Sequence, residues 1–185
     1  MKTRTFLAAL LALLALTLPG AETEKNLVRN PDFSGKVNEK GEPDFWGVSP
    51  KVGEVVKNED GSCVFKLTGR YLRQNLYDKS VFTPKTDKFV ALTVTASGKG
   101  VLYVFHSRFT QFQDQKGKRS NKFIKTVPVS SFVLTEKKQE FKTRLKIPAG
   151  EFCQMLFAVD KNCKAVIEKV VAVEIPAPAE PEKKN

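Results

Sequence analysis

Few residues of this sequence could catalyse a reaction, because it has a single histidine, His106. Every pairing of a nucleophile with a histidine base would depend on that side chain. The sequence has no Gly-x-Ser-x-Gly turn, no phosphate-binding loop and no His-Glu-x-x-His motif. The cysteines that could join His106 on zinc fit no zinc spacing, and the carboxylate pair of a glycosidase cannot be placed from sequence. We therefore predict that the protein is not an enzyme.

Aromatic, amide and cationic side chains favour binding of a sugar instead. Flat rings pack against a pyranose, and amide or charged groups give direction by hydrogen bonding to its hydroxyls. Residues 108–114 alternate such groups and predict one wall of a site. The candidate ligand-binding residues are Trp46, Arg73, Gln74, Tyr77, Tyr103, Arg108, Phe109, Gln111, Phe112, Lys142 and Arg144.

Each of these aromatic residues also has a structural interpretation, which is the stronger one for any residue taken alone. Trp46 is expected to pack under the N-terminal strand, and Tyr71 and Tyr103 to belong partly to the core. Phe109 and Phe112 could simply close the edge of the fold. Exposed aromatic rings beside arginine and lysine on one face would favour the binding interpretation.

Positive charge is the second chemical signal, since the net charge is +11. The alternation of residues 141–147 places Lys142, Arg144 and Lys146 together on the solvent face of a strand. We call these three residues the basic stripe. They favour an anionic partner, although a basic surface can serve solubility alone. A second basic cluster falls in a predicted long loop: Lys116, Lys118, Arg119 and Lys122.

Strands must position these groups, because no segment has a sustained helical period. From about residue 26 to residue 175, short apolar runs alternate with turn residues. Residues 89–96 and 101–109 predict two strands joined by a hairpin at residues 97–100, and residues 141–147, 152–159 and 165–175 predict three more. The sequence therefore predicts an all-β fold, an antiparallel β-sandwich.

The strand over residues 101–109 has two faces, and either could enter the core. Tyr103, Phe105 and Phe109 share one face, and His106 and Arg108 share the other. If the aromatic face is the core, His106 and Arg108 point outward beside each other.

The first 21 residues have the organisation of a secretory signal peptide. Lys2 and Arg4 precede an apolar run that is shorter than the about 20 residues needed to span a bilayer, and Pro19 and Gly20 follow it. We expect cleavage after residue 20 or 21 rather than a retained anchor. Cleavage would remove Lys2 and Arg4 and lower the net charge from +11 to +9. It would leave residues 22–175 as one domain and residues 176–185 as a disordered proline-rich tail.

The three cysteines are Cys63, Cys153 and Cys163. An oxidising compartment permits one disulfide among them and leaves one thiol. The pairing cannot be read from the sequence, and three buried small side chains are the alternative.

The start of the mature chain resembles the opening of carbohydrate-binding modules of families four and nine. The resemblance lies in Asn26-Leu27-Val28-Arg29-Asn30-Pro31-Asp32-Phe33 and in the later Pro43-Asp44-Phe45-Trp46-Gly47. It continues through a glutamine-containing strand at residues 72–76 and through residues 89–95, 132–150 and 166–170. It implies a galactose-binding-domain-like jelly roll over nearly the whole mature chain. Sugar binding follows from it less directly, because relatives of this fold bind other ligands.

The resemblance also raises the question of a structural calcium ion, which relatives often hold with acidic side chains near both chain ends. Pro31 stands where the family usually has glycine, and Ser34 where it often has an acid. Asp32 and Glu168 remain as candidate metal ligands, whereas calcium normally takes six to eight oxygens. We therefore expect no cofactor, with calcium as the open alternative.

The combined expectation is a secreted, periplasmic or extracellular, non-catalytic module that binds a polysaccharide or glycoconjugate. An anionic glycan is the variant to test first. The alternative is a structural or adhesion protein of the envelope that contacts protein through the same sandwich, and a small hydrolase with an unfamiliar site is a third. No nucleic-acid motif accompanies the charge. We expect no nucleic-acid partner, no membrane span and a monomer.

Overall fold

Antiparallel strands are the main regular secondary structure of the computed structural model, which describes residues 25–77, 83–113, 115, 117 and 119–178. The predicted signal peptide and residues 179–185 of the predicted tail lie outside the described residues. The described part of the chain contains no helix, and hence none that could cross a bilayer. Its strands are β1 (Gly47–Val48), β2 (Gly53–Lys57), β3 (Cys63–Leu67), β4 (Arg70–Asn75), β5 (Lys88–Gln113), β6 (Arg119–Leu134), β7 (Gln139–Ile147), β8 (Glu151–Val159) and β9 (Lys164–Ile175).

Strand β5 is shared by two sheets. Its N-terminal half pairs with β7 and β9, and its C-terminal half pairs with β6 and β8. The front sheet therefore has the order β1-β4-β8-β5-β6, and the back sheet has the order β7-β5-β9-β3-β2. Every pair is antiparallel, which confirms the predicted all-β sandwich.

The hairpin predicted at residues 97–100 is wrong, because β5 continues through these residues. Gly98 and Gly100 have φ angles of 142° and 100°, which bend the strand from the back sheet into the front sheet. Both glycines also lie close to the next chain segment. A Cβ atom would stand 2.1 Å from the Lys164 carbonyl oxygen at Gly98, and 2.1 Å from Cys163 Sγ at Gly100. A hairpin and a bend use the same glycines, so the local sequence could not separate them.

The core lies between the two sheets, and its residues show which face of β5 points inward. Leu102 and Val104 are fully buried and His106 is 7% exposed, so this face points inward. The aromatic residues Tyr103 and Phe105 are half-buried on the outer face of the front sheet. Apolar burial of this kind stabilises by about 1.5–3 kcal/mol per large side chain, which fixes the register of the strand.

The residues that carry the family resemblance tie the N-terminal segment to the front sheet. Gln74 is 2% exposed; its Oε1 accepts from the Arg29 N–H at 2.7 Å and its Nε2 donates to the Arg29 carbonyl at 2.9 Å. Trp46 is 4% exposed, and its Nε1 donates to the Asn30 carbonyl at 2.9 Å. Burial and these hydrogen bonds give Trp46 and Gln74 a structural role, as expected for Trp46, and ligand contact by either residue stays a prediction.

Two further expectations concern the loops and the cysteines. The predicted long loop with the second basic cluster is shorter than expected, because β6 begins at Arg119 and contains Lys122. Lys116 and Lys118 lie outside the described residues. All three cysteines are free thiols, so the structure contains none of the disulfides that the sequence permits.

Candidate functional site

The outer face of the front sheet carries a cluster of half-buried aromatic rings, which we call the upper aromatic row. Tyr103 and Phe105 are successive outward positions of β5 and stack with their centroids 6.2 Å apart. Tyr71 from β4 meets Phe105 edge to face at 6.3 Å. Strand alternation places these rings together, and the buried Leu156 of β8 is the register partner of Phe105 beneath them.

Polar side chains form the next level of this face. Ser107 of β5 is the register partner of Gln154 of β8, which in turn is the partner of Asn75 of β4. Gln154 Nε2 donates to Asn75 Oδ1 at 3.2 Å. The Ser107 and Thr126 hydroxyl oxygens lie 2.7 Å apart. We call these residues the polar row. Ser107 is buried, whereas Asn75, Gln154 and Thr126 have exposed surface and further hydrogen-bonding capacity.

A second group of rings, the lower aromatic row, follows the polar row. Phe109 of β5 stacks on its register partner Phe152 of β8 with centroids 5.0 Å apart and an angle of 12°. Phe123 of β6 meets Phe109 edge to face at 5.6 Å and is 55% exposed. Polar groups between two apolar platforms are the arrangement expected at a site for an amphipathic ligand.

A hollow of about 450 Å³ opens where this face reaches β1 and β4. Its lining residues are Phe45, Trp46, Gly47, Arg73, Gln74, Asn75 and Gln154. Arg73 and Gly47 are register partners. A Cβ atom at Gly47 would stand 2.8 Å from Arg73 Nε, so glycine lets the arginine lie across the sheet. In the described part of the chain Arg73 has no ion-pair partner, which leaves its guanidinium available.

Electrostatics hold the upper aromatic row in a defined orientation. The Tyr103 hydroxyl donates to Asp160 Oδ2 at 2.8 Å, and this bond is the main reason why the pKa of Tyr103 is raised above its ordinary value. The phenol therefore stays protonated across the physiological range, and the hydrogen bond fixes the ring. At the other end of the hollow, the Arg29 guanidinium lies 4.3 Å above the centroid of the exposed Phe45 ring.

The structure brings only some of the sequence-predicted residues to this face. Arg73, Tyr103, Phe109 and Gln111 belong to its outward positions. Tyr77 lies elsewhere, where its hydroxyl donates to Glu174 Oε2 at 3.2 Å.

Arg108 and Phe112 occupy the opposite face of β5. Arg108 forms a two-pronged ion pair with Glu151, at 2.5 Å through Nε and 2.6 Å through Nη2. Phe112 is 49% exposed near the end of β5. The continuous wall expected from residues 108–114 is therefore corrected, because alternation along β5 divides these side chains between two faces.

The basic stripe lies on the other side of the sandwich, on the outer face of the back sheet. Its three residues are exposed, as the alternation of β7 predicted. Lys142 pairs with Glu140 at 3.0 Å and Lys146 pairs with Asp87 at 2.5 Å. Arg144 has no ion-pair partner among the described residues. The stripe and the aromatic rows therefore cannot hold the same short ligand.

The candidate metal ligands Asp32 and Glu168 line one hollow, but other groups occupy their oxygens. Asp32 Oδ1 accepts from the Ser34 hydroxyl at 2.7 Å, and this bond leads the causes that lower the pKa of Asp32. Glu168 forms an ion pair with Lys138. Within the described ranges, no three metal-ligating side chains come together. Calcium at this position stays a prediction without support from the donor set.

Several residues of the candidate site were not identified from the sequence. The missing members were Phe105, Asn75, Ser107, Thr126, Phe123, Phe152 and Gln154. Their common signal is period-two spacing of polar and aromatic residues along β4, β5, β6 and β8. This pattern identifies the site residues only when the core-facing side of β5 is known. That side is known only when His106 is placed in the core.

Comparison with solved structures gives the fold. The CBM22-1 xylan-binding domain of Paenibacillus barcinonensis Xyn10C matches 84% of this chain and 97% of that domain, with TM-score 0.52 and 12% identity. A proposed sugar-binding protein from Bacteroides thetaiotaomicron matches over 82% of this chain and all of its own, with TM-score 0.53 and 12% identity. The tandem CBM22-1–CBM22-2 structure of Xyn10C matches 90% of this chain and 50% of its own length, with TM-score 0.54 and 12% identity.

The two comparisons by sequence, in contrast, gave no match. No protein-family model matches the chain, and no curated protein matches it. The predicted jelly-roll β-sandwich is confirmed, and the structural neighbours are carbohydrate-binding modules. The narrower resemblance to families four and nine stays a prediction. The chain is similar in fold to carbohydrate-binding modules across nearly all of its described length.

Proposed function

We propose that this protein is a secreted, non-catalytic module that binds a glycan across the outer face of the front sheet. The observation that carries the proposal is the polar row between two aromatic rows. Half-exposed rings of Tyr71, Tyr103 and Phe105 supply apolar platforms, and Asn75 and Gln154 supply directed hydrogen bonds. A sugar ring has apolar C–H faces and a rim of hydroxyls, so it complements both features.

The size and openness of the face favour a chain of sugars over a single one. Side chains two positions apart on a strand are about 7 Å apart, so the face from Phe105 to Phe109 extends about 13 Å along β5. The hollow at Phe45 and Arg73 lengthens it across the sheet. An open platform of this length contacts several sugar units and encloses none of them.

Binding is tested by titration calorimetry against a panel of soluble xylan, β-glucan, galactan and acidic polysaccharides. Tyr103→Ala and Gln154→Ala are the test variants. We expect at least one polysaccharide to bind, and we expect each substitution to weaken that binding by about tenfold, the loss of about 1.4 kcal/mol. Tyr103→Phe should lose less than Tyr103→Ala, since it keeps the ring.

Phe89→Ala is the matched control, because Phe89 is also a half-buried outward ring of β5 but belongs to the back sheet. It should leave the affinity unchanged. Equal losses in Phe89→Ala and Tyr103→Ala would place the effect in stability and refute the front-sheet site. A complete panel without binding would refute the proposal itself.

An acidic glycan is the narrower form of the proposal, supported by the unpaired Arg73 on the front face. Arg73→Gln would then reduce binding of an acidic polysaccharide, and Lys142→Gln on the back sheet would not. Affinity should also fall with added salt, because charges are screened over about 10 Å at 0.1 M. Arg73→Gln with unchanged affinity and unchanged salt dependence would exclude charge recognition at this face.

Protein contact is a second candidate function, favoured by exposed apolar residues at one end of the β5–β6 pair. Phe112, Phe123 and Ile124 are 49%, 55% and 41% exposed. Pull-down from envelope fractions with the wild type and with Phe112→Ser/Ile124→Ser tests this alternative. A partner that survives competition by soluble glycans and is lost in the double variant would support it. Capture that glycans abolish would support the glycan proposal instead.

A further inference from the structure

A pocket of about 530 Å³ opens on the outer face of the back sheet, where β2, β3 and β9 lie side by side. We call it the lysine pocket. The residues that line it are Lys51, Gly53, Glu54, Lys66, Leu67, Thr68, Lys164, Ala165 and Val166. Its volume is within the range of small-molecule sites, about 300–1,000 Å³, so it has room for a group larger than a single ion.

Strand alternation points Lys66 and Lys164 to the outer side of the sheet. Leu67 and Ala165, the next residue in each strand, are buried against the core, so the two lysines face outward. Lys66 is the register partner of Val166, which lies two residues from Lys164 on the same strand. Side chains in this diagonal relation are about 7–8 Å apart, so one ligand can reach both ammonium groups.

Lys51 reaches the pocket from the turn before β2. Thr68 fixes this turn, because its N–H and its hydroxyl both donate to the Val52 carbonyl, at 2.7 Å and 3.2 Å. The turn holds Lys51 at the pocket wall. Three lysines from separate parts of the chain therefore line one pocket.

The described carboxylates do not neutralise the positive charge of the pocket. None of Lys51, Lys66 and Lys164 forms an ion pair in the described part of the chain. Glu54 is the acid of the lining and the register partner of Lys66, so three lysines and one glutamate leave a net charge of +2. Lys99 of β5 is the register partner of Lys164 and adds a fourth cation beside the pocket. Directly opposed like charges destabilise a sheet, and a bound anion would relieve this repulsion.

We propose that the lysine pocket binds a phosphate or sulfate group. An ammonium group is a compact charge with three donors, which suits the oxygens of a tetrahedral oxyanion. A planar carboxylate is matched best by arginine, and the described residues that line the pocket include no arginine. Val166 gives apolar surface for the carbon skeleton of an ester. The pocket is independent of the proposed glycan face, because the two lie on the outer faces of opposite sheets.

Binding is tested by NMR on nitrogen-labelled protein, through the backbone amide signals of Lys66, Ala165 and Val166 at pH 7.5 and constant ionic strength. The probes are glucose 6-phosphate, glucose 6-sulfate, inorganic phosphate and inorganic sulfate. Glucuronate is the carboxylate control, and glucose is the uncharged control. We expect the signals to shift and saturate with at least one phosphate or sulfate probe, and to respond less to glucuronate.

A pair of double variants separates the pocket from the overall charge. Lys66→Gln/Lys164→Gln should weaken binding by at least about tenfold, which corresponds to the loss of one hydrogen bond between charged groups. Lys122→Gln/Lys125→Gln is the matched control, because it removes the same charge from exposed positions of β6, and it should leave the affinity unchanged.

Two further measurements separate binding from folding. Glu54→Gln should tighten binding, because it removes the negative charge of the lining. The free Lys66→Gln/Lys164→Gln protein should unfold at a temperature no lower than the wild type, because it loses the repulsion between Lys164 and Lys99.

The probes also distinguish the sources of the charge. Tighter binding of the sugar esters than of the free ions identifies an ester as the ligand, and equal binding identifies a free oxyanion. Signals that no phosphate or sulfate probe saturates would overturn the proposal. Glucuronate that binds as tightly as the esters, or equal losses in the two double variants, would overturn it too. These results stand apart from the glycan titration, whose test variants are on the front sheet.

Discussion

Replacement of Gln74 tests whether the N-terminal segment is held as the structure shows. Gln74→Leu keeps most of the side-chain volume and removes both hydrogen bonds to the Arg29 backbone. An unsatisfied buried polar group costs about 1–3 kcal/mol. The substitution leaves one backbone N–H and one carbonyl without partners, and water reaches this part-buried segment incompletely. We therefore expect the free energy of unfolding to fall by about 3 kcal/mol.

A loss of this size is measurable by urea unfolding and by calorimetry. For a domain of this length, 1 kcal/mol corresponds to about 2–4 °C, so Tm should fall by about 6–12 °C. Hydrogen exchange should quicken first at the Arg29 amide, while the amides of β8 keep their protection. This local signature separates a released segment from general unfolding.

Gln113→Leu is the matched control, because Gln113 is exposed and its amide donates to the nearby Gly117 carbonyl at 2.8 Å. Its effect should stay within about 0.5 kcal/mol. A Gln74→Leu protein as stable as Gln113→Leu would refute the reasoning. It would mean that the N-terminal segment is held by its apolar contacts alone.

Three further outcomes follow from the packing around β5 and β8. Gly100→Ala should lower the free energy of unfolding by about 2–5 kcal/mol, since it adds a Cβ atom 2.1 Å from Cys163 Sγ at a φ of 100°. Urea unfolding measures this loss, and unchanged stability would contradict the bend in β5. The pKa of His106 is below 6.5 in the fold, so the unfolded chain binds the proton first. Stability should therefore fall as pH drops from about 6.5 towards the folded pKa, and His106→Phe should remove this dependence. Burial raises the pKa of Cys153 to about 12, so a thiol reagent should label half-buried Cys63 in the native state and Cys153 only after unfolding.

The fold was largely predictable because strand patterns are local. The alternation of residues 141–147 gave both the strand β7 and the outward position of its cations. The bend in β5 was not predictable, because Gly98 and Gly100 mark a turn and a close approach equally well. Only the contact with Lys164 and Cys163, more than sixty residues away in sequence, decides between them.

The candidate site was predicted in part, for a related reason. Tyr103, Phe109 and Arg73 were identified by residue type, but residue type does not say which face of a strand a side chain occupies. Arg108 and Phe112 have the same types and lie on the opposite face of β5. The inward position of His106 decides which face is which, and residue type does not predict it because histidine is intermediate in burial. A polar group placed inside a core is a feature that sequence patterns do not anticipate.

The family-like motif and the proposed glycan face meet at the hollow, where Phe45 and Gly47 of the motif lie beside Arg73, and differ elsewhere. Asn30, Trp46 and Gln74 are engaged with the N-terminal segment through backbone hydrogen bonds, and the rings and amides that could meet a ligand are outward residues of β4, β5 and β8. Substitution of Tyr103, Phe109 or Gln154 removes none of the hydrogen bonds of Trp46 and Gln74. Proteins can therefore keep the motif while the ligand face changes, which is why a motif resemblance gives the jelly roll and leaves the choice of glycan to the outward positions.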